Sequence, residues 1–227
     1  MDSRIRGNDG RKAAVRGSLT LHPMKSHSDE FHSAATALAT DGWCVLPDLL
    51  TPAQTQALAD ECRTMHAARQ LTSARVGAAR TATPLRGDRT QWFEVGALSA
   101  PQQAFAKRID ALRIALNREL MLGLVECELH YAVYPPGAGY TRHLDRLRDS
   151  DARVVSMVFY LNEGWQEADG GALRLYLDDG SHRDIQPHAG SLLLFLSAQF
   201  EHEVLPATRD RMSVACWMRQ RSLGVTG

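Results

Sequence analysis

GLVECELHYAVY, residues 123–134, is where the texture of this chain changes. From Glu126 to Tyr134 the residues are β-prone. Four further segments of this kind follow at 153–161, 172–177, 191–196 and 211–218. Turn formers separate them: Asp169-Gly170-Gly171, Asp179-Gly180 and Ala189-Gly190. Short apolar strands punctuated by glycine turns suit antiparallel pairing in two packed sheets. The expectation is a double-stranded β-helix, or jelly-roll, barrel with the earlier part of the chain packed on its outside.

Upstream of Gly123 the chain reads mainly helical. Ser28 can cap a helix carrying Phe31, Ala34, Ala35 and Leu38, ending near Asp41-Gly42. Trp43 to Leu46 is a short strand candidate. Thr51-Pro52 is an N-cap followed by proline at the first helical position, opening a helix to about Gln70. Residues 71–90 are rich in Arg, Thr, Ala and Gly without an apolar period, which predicts a long mobile loop. A third helix starts near Ser99-Ala100-Pro101, with Phe105, Ile109, Leu112, Leu116 and Leu120 on one face. The class is therefore mixed α+β, as one domain over 28–221: helical support at 28–122 and a jelly-roll core from about 123. Residues 1–27 predict a disordered tail, or an over-extended start with Met24 the true first residue.

The 227 residues suit one decorated domain, and 44% hydrophobic with 23% charged is ordinary globular composition. Formal charge is zero, which argues against nucleic acid or an anionic membrane as partner. Only 3 of the 26 basic residues are lysine, a bias that fits a GC-rich genome. Cys44, Cys62, Cys127 and Cys216 form no CxxC pair, so reduced thiols in a cytoplasmic protein are the expectation. No stretch approaches a membrane span, and the basic N-terminus lacks the apolar run of a secretory signal.

Three pieces of the β half point to chemistry together. In His143-Leu144-Asp145 the outer two side chains point the same way on an extended segment. His202 falls on a strand after the apolar run Leu192–Leu196, and Arg211 on the next strand, nine residues on. Two imidazoles and one carboxylate suit non-haem iron(II), leaving one face of an octahedral ion for a bidentate organic acid and dioxygen. Structural zinc would prefer four closed ligands with sulfur. A guanidinium such as Arg211 holds a terminal carboxylate through two parallel hydrogen bonds, with Arg219 the next candidate. Each piece alone has a bland reading, because an HxD triplet arises by chance among nine histidines. Their order and strand context carry the joint reading. His130, His182 and His188 are assigned surface or structural roles.

From about Arg86 to Arg219 the chain resembles the prolyl-hydroxylase branch of the 2-oxoglutarate oxygenases: the oxygen-sensing enzymes of animals and the bacterial relatives that act on elongation factor Tu. The matching text is Arg86-Gly87-Asp88 with Trp92-Phe93-Glu94, Tyr134-Pro135-Pro136-Gly137 with Gly139 through Asp145, Phe159-Tyr160-Leu161-Asn162, Gly170 through Arg174, and His202-Glu203-Val204 through Pro206, Arg211 and Trp217. The resemblance implies iron(II), 2-oxoglutarate as co-substrate and ascorbate as a candidate reductant. It implies that Tyr160 donates to the distal carboxylate beside Arg211, that Tyr134 lines the co-substrate pocket and that Leu173 packs on the co-substrate methylenes. Arg153 and Trp217 would stand at the mouth where the substrate proline enters. Arg86, Asp88 and Trp92 would belong to a mobile finger loop folding over substrate. Two departures stand out: the loop from Tyr134 to His143 is one residue shorter than in the animal enzymes, and Ala215 replaces a frequent hydroxyl residue.

The implied reaction is C4 hydroxylation of a prolyl residue in a protein, releasing succinate and carbon dioxide, with elongation factor Tu the first candidate substrate. The same chemistry on a free amino acid, small metabolite or nucleobase is the nearest rival. A non-catalytic jelly-roll module that retains a metal is the second, disfavoured because it needs no co-substrate clamp.

Overall fold

The computed structural model describes residues 27–74, 86–145 and 152–221. The expected tail and Met24 lie outside these, as do residues 75–85 in the middle of the expected loop. The helices come first: α1 (His27–Thr40), α2 (Pro52–Ala67) and α3 (Ala100–Leu120). Both later helices open on a capping box with proline in the first turn. Thr51 and Gln54 hold each other's backbone N–H in α2, and Ser99 and Gln102 do so in α3. Such caps contribute about 1 kcal/mol each. The α1 expectation shifts slightly, because the helix begins at His27 and Ser28 lies inside its first turn.

Eleven strands are present among the described residues. They are β1 (Trp43–Leu46), β2 (Thr72–Ser73), β3 (Arg89–Trp92), β4 (Leu124–Tyr134), β5 (Tyr140–His143), β6 (Arg153–Tyr160), β7 (Leu173–Tyr176), β8 (His182–Ile185), β9 (Leu192–Leu196), β10 (His202–Val204) and β11 (Arg211–Gln220). A seven-stranded sheet runs β1-β9-β6-β11-β4-β3-β2, and a four-stranded sheet runs β5-β10-β7-β8. Every ladder is antiparallel. The jelly-roll expectation holds.

The central strands of the larger sheet are buried on both faces, and the two-residue side-chain period sorts their residues. Tyr131 and Val133 of β4, Leu192 and Leu194 of β9, and Val214 and Cys216 of β11 pack under the helices with Phe105, Ile109 and Leu112. Tyr160, Leu193 and Phe195 face inward against Leu173, Leu175 and Ile185 of the smaller sheet. Arg211, Ser213, Ala215 and Trp217 share the inner face of β11, so the core and the site are built from alternate residues of the same strands.

The expected loop 71–90 is corrected at both ends. Thr72–Ser73 and Arg89–Trp92 pair with each other, and Arg89–Trp92 also pairs with β4, extending the large sheet. The cross-strand partners of these polar stretches lie far along the chain, so no local period announces them. Gly139 shows how closely the chain entering β5 approaches β10 within the smaller sheet: a Cβ there would lie 2.6 Å from the Val204 carbonyl oxygen.

Candidate active site

β5 and β10 are neighbours, and their register sets His202 directly opposite His143. Asp145 follows two residues after His143, at the bend that ends β5. Its carboxylate oxygens lie 3.7 Å from His143 Nε2 and 3.6 Å from His202 Nε2. One ligand atom from each residue can be chosen so that all three lie within 4.8 Å of one another. Backbone carbonyls fix both imidazoles. His143 Nδ1 donates to Thr141 O at 2.8 Å and His202 Nδ1 to Phe200 O at 3.2 Å. A carbonyl only accepts, so each Nδ1 carries a hydrogen and each Nε2 is the nitrogen turned toward the metal position. Burial lowers the affinity of His202 for a proton. Burial alone would raise the Asp145 carboxyl, but the His202 and His143 imidazoles outweigh it and hold the group below the carboxylate range. Two imidazole nitrogens and one carboxylate oxygen converge, the donor set that suits iron(II).

The triad opens into a cleft whose wall includes Arg86, Tyr134, Tyr140, Leu173, Arg211 and Trp217. Arg211 is 1% exposed. Its Nε donates to Gly171 O at 2.7 Å, and its guanidinium carbon lies 5.2 Å from the Tyr160 ring centroid and 5.4 Å from that of Tyr134. Among the described residues, neither Arg211 Nη2 nor the Tyr160 hydroxyl finds a hydrogen-bond partner. Burial pushes the Tyr160 phenol up to about 12 against the pull of Arg211, so it keeps its proton at neutral pH. Two unsatisfied buried donors side by side are costly in a folded chain unless a ligand meets them. Their chemistry matches one end of a dicarboxylate.

The structure brings His143, Asp145, His202, Arg211, Tyr134 and Leu173 to the same cleft, with Tyr160 beside Arg211. Trp217 also lines it, and Trp92 lies at its rim, 49% exposed and 6.3 Å from the Trp217 ring. The finger-loop expectation is corrected for its described part. Asp88 is buried, and both its oxygens accept from Arg86, at 2.6 and 2.8 Å. It therefore holds Arg86 in place. Arg153 is outside the cleft wall. It pairs with Glu128 at 2.9 Å and lies 3.8 Å over the Trp217 ring, reaching the mouth only through that ring. Arg219 pairs with Glu126 and Glu128, which removes it as an alternative clamp. His182 and His188 are exposed as expected, whereas His130 is completely buried.

Sequence reasoning gave no role to Tyr140, which stacks on His143 at 3.6 Å beneath the Arg86 guanidinium. Its place three residues before His143 on the same short strand was the available signal.

A family model described as the 2OG-Fe(II) oxygenase superfamily matches residues 129–219. The crystal structure of a Pseudomonas putida prolyl-4-hydroxylase is similar at 46% identity and a TM-score of 0.77, covering 84% of this chain and 99% of that one. The chain belongs to the prolyl 4-hydroxylase family of 2OG-Fe(II) oxygenases. A Trichoplax adhaerens prolyl hydroxylase, solved with a hypoxia inducible factor peptide fragment, is 25% identical at a TM-score of 0.78, covering 86% of this chain and 90% of that one. Human Egl nine homolog 1 is 28% identical over 190 residues, 78% of this chain and 43% of that protein. The chain thus spans about half the length of the curated relatives it matches first. The prolyl hydroxylase family uses iron(II) and 2-oxoglutarate, and the residues present fit both: a two-imidazole and carboxylate triad for the metal, and, among the described residues, unpartnered Arg211 and Tyr160 donors for the acid. No helix among the described residues is long and apolar enough to cross a membrane.

Proposed function

We propose that this protein hydroxylates a prolyl residue of a protein substrate at C4. His143, Asp145 and His202 hold iron(II), Arg211 and Tyr160 hold the distal carboxylate of 2-oxoglutarate, and Tyr134 and Leu173 line its shaft. When bound, the iron activates dioxygen and couples decarboxylation of 2-oxoglutarate to oxidation of a substrate C–H bond, leaving succinate and carbon dioxide. The chain's own residues orient and exclude. The Thr141 and Phe200 carbonyls lock both imidazoles with Nε2 toward the metal position. The inner-face residues of β4, β6 and β11 keep water from the clamp.

The observation that carries this reading is the buried Arg211 with a bare Nη2 beside a bare Tyr160 hydroxyl, across one cleft from the triad. Ascorbate serves as auxiliary reductant. Trp217, Arg86 and Trp92 form the entrance, where an aromatic wall suits a prolyl ring. Elongation factor Tu in the cytoplasm is the first substrate to test, on the resemblance to the bacterial enzymes that act on it. The test incubates pure protein with iron(II), 2-oxoglutarate and that factor, then maps peptides for a one-oxygen gain on proline with matching succinate. Efficient turnover of a free amino acid with every protein proline unmodified would replace this substrate class.

A further inference from the structure

We infer that His130 is a positioning residue, a buried neutral imidazole whose Nε2 accepts from Arg86 and so fixes that guanidinium in the wall of the substrate cleft. The inference rests on the prolyl-substrate reading for its kinetic consequence, but not for its geometry.

His130 sits mid-strand in β4, opposite Trp92 of β3 and Ala215 of β11. Its ring is 0% exposed and clusters with two indoles, 4.6 Å from Trp92 and 5.2 Å from Trp217, the latter nearly parallel at 25°. Nε2 lies 3.4 Å from Arg86 Nη2. A guanidinium has only donors, so the facing nitrogen must offer a lone pair, and the ring hydrogen belongs on Nδ1. Burial together with Arg86 and Arg153 pushes the imidazole down to about 3, which keeps it neutral.

Nδ1 then carries a hydrogen that, among the described residues, has no partner. Burying an unsatisfied donor is costly, and an apolar ring could fill the place beside the indoles without that cost. What an apolar ring lacks is the acceptor toward Arg86. Arg86 already gives two bonds to Asp88, and its guanidinium carbon lies 5.0 Å over Tyr140, which stacks on His143. Asp88 fixes one edge of the fork, and His130 holds its Nη2 corner from a second direction. Arg86 is thereby a fixed donor in the cleft wall, suited to a backbone carbonyl of an incoming polypeptide.

The test has one arm on the wild-type protein and one on variants. In 15N NMR of the zinc-substituted, 2-oxoglutarate-saturated protein, His130 should be the Nδ1–H tautomer with a bare Nε2. An Nε2–H or doubly protonated ring would overturn the inference, whether or not any variant folds. H130F keeps the stacked ring and loses the acceptor, while H130Q keeps an acceptor oxygen at similar reach. Loss of one hydrogen bond of this kind corresponds to roughly a 3- to 10-fold change. H130F should raise KM for the protein substrate by that factor with little change in 2-oxoglutarate Kd by calorimetry, and H130Q should recover most of it. Equal KM for H130F and wild type, or no recovery in H130Q, refutes the positioning role. If wild-type protein hydroxylates no protein proline, the substrate reading falls, and the tautomer still decides the geometry.

Discussion

Replacing Tyr160 by Phe separates a binding role from a packing role, because the two make opposite predictions for stability. The Tyr160 ring is fully buried in the inner core, while its hydroxyl has no hydrogen-bond partner among the described residues. In the protein without co-substrate that hydroxyl carries desolvation with no return, about 1 kcal/mol or more. Removing it should leave the fold unharmed or raise Tm by roughly 2–4 °C, the shift about 1 kcal/mol makes in a domain of this size. Co-substrate binding should move the other way. A hydrogen bond to a charged acceptor is worth about 1.5–3 kcal/mol, so 2-oxoglutarate should bind roughly 10- to 150-fold more weakly. Thermal melting without co-substrate and calorimetric titration of the metal-loaded protein read the two effects separately. A Tm lowered by several degrees with unchanged affinity would refute the reasoning, and Tyr160 would be a packing residue only.

Arg211→Ala removes a guanidinium that lies over both Tyr134 and Tyr160 and should weaken 2-oxoglutarate binding by at least roughly 10-fold, from loss of a charge-assisted bond. Metal content by mass spectrometry should survive it. His202→Ala should abolish bound iron and succinate formation together, and full metal occupancy would reassign the ligand. Trp92→Ala removes a half-exposed ring at the rim, so it should depress hydroxylation of a protein substrate far more than it changes 2-oxoglutarate affinity. Gly139→Ala would press a methyl to 2.6 Å from the Val204 carbonyl, so Tm should fall, by about 1–3 kcal/mol of stability on the usual scale for overpacking.

The order of the site was legible in the sequence because each part is short-range text. His143 and Asp145 stand two apart on an extended segment, Arg211 opens a β-prone run, and glycine turns mark the strand ends. The capping boxes at Thr51 and Ser99 were legible as well, since a cap is a contact across three residues. What the chain could not disclose alone was which residues meet across strands. β3 reads as polar loop until its pairing with β4 supplies the missing hydrogen bonds. Asp88 reads as part of a loop folding over substrate until burial commits both its oxygens to Arg86. His130 sits in an ordinary-looking strand, and only the sheet register brings it against Trp92 and Trp217. Alternation assigns a residue to a face from its neighbours in sequence, whereas partners across a face are set by strand order and register, which hydrogen bonding between distant segments decides.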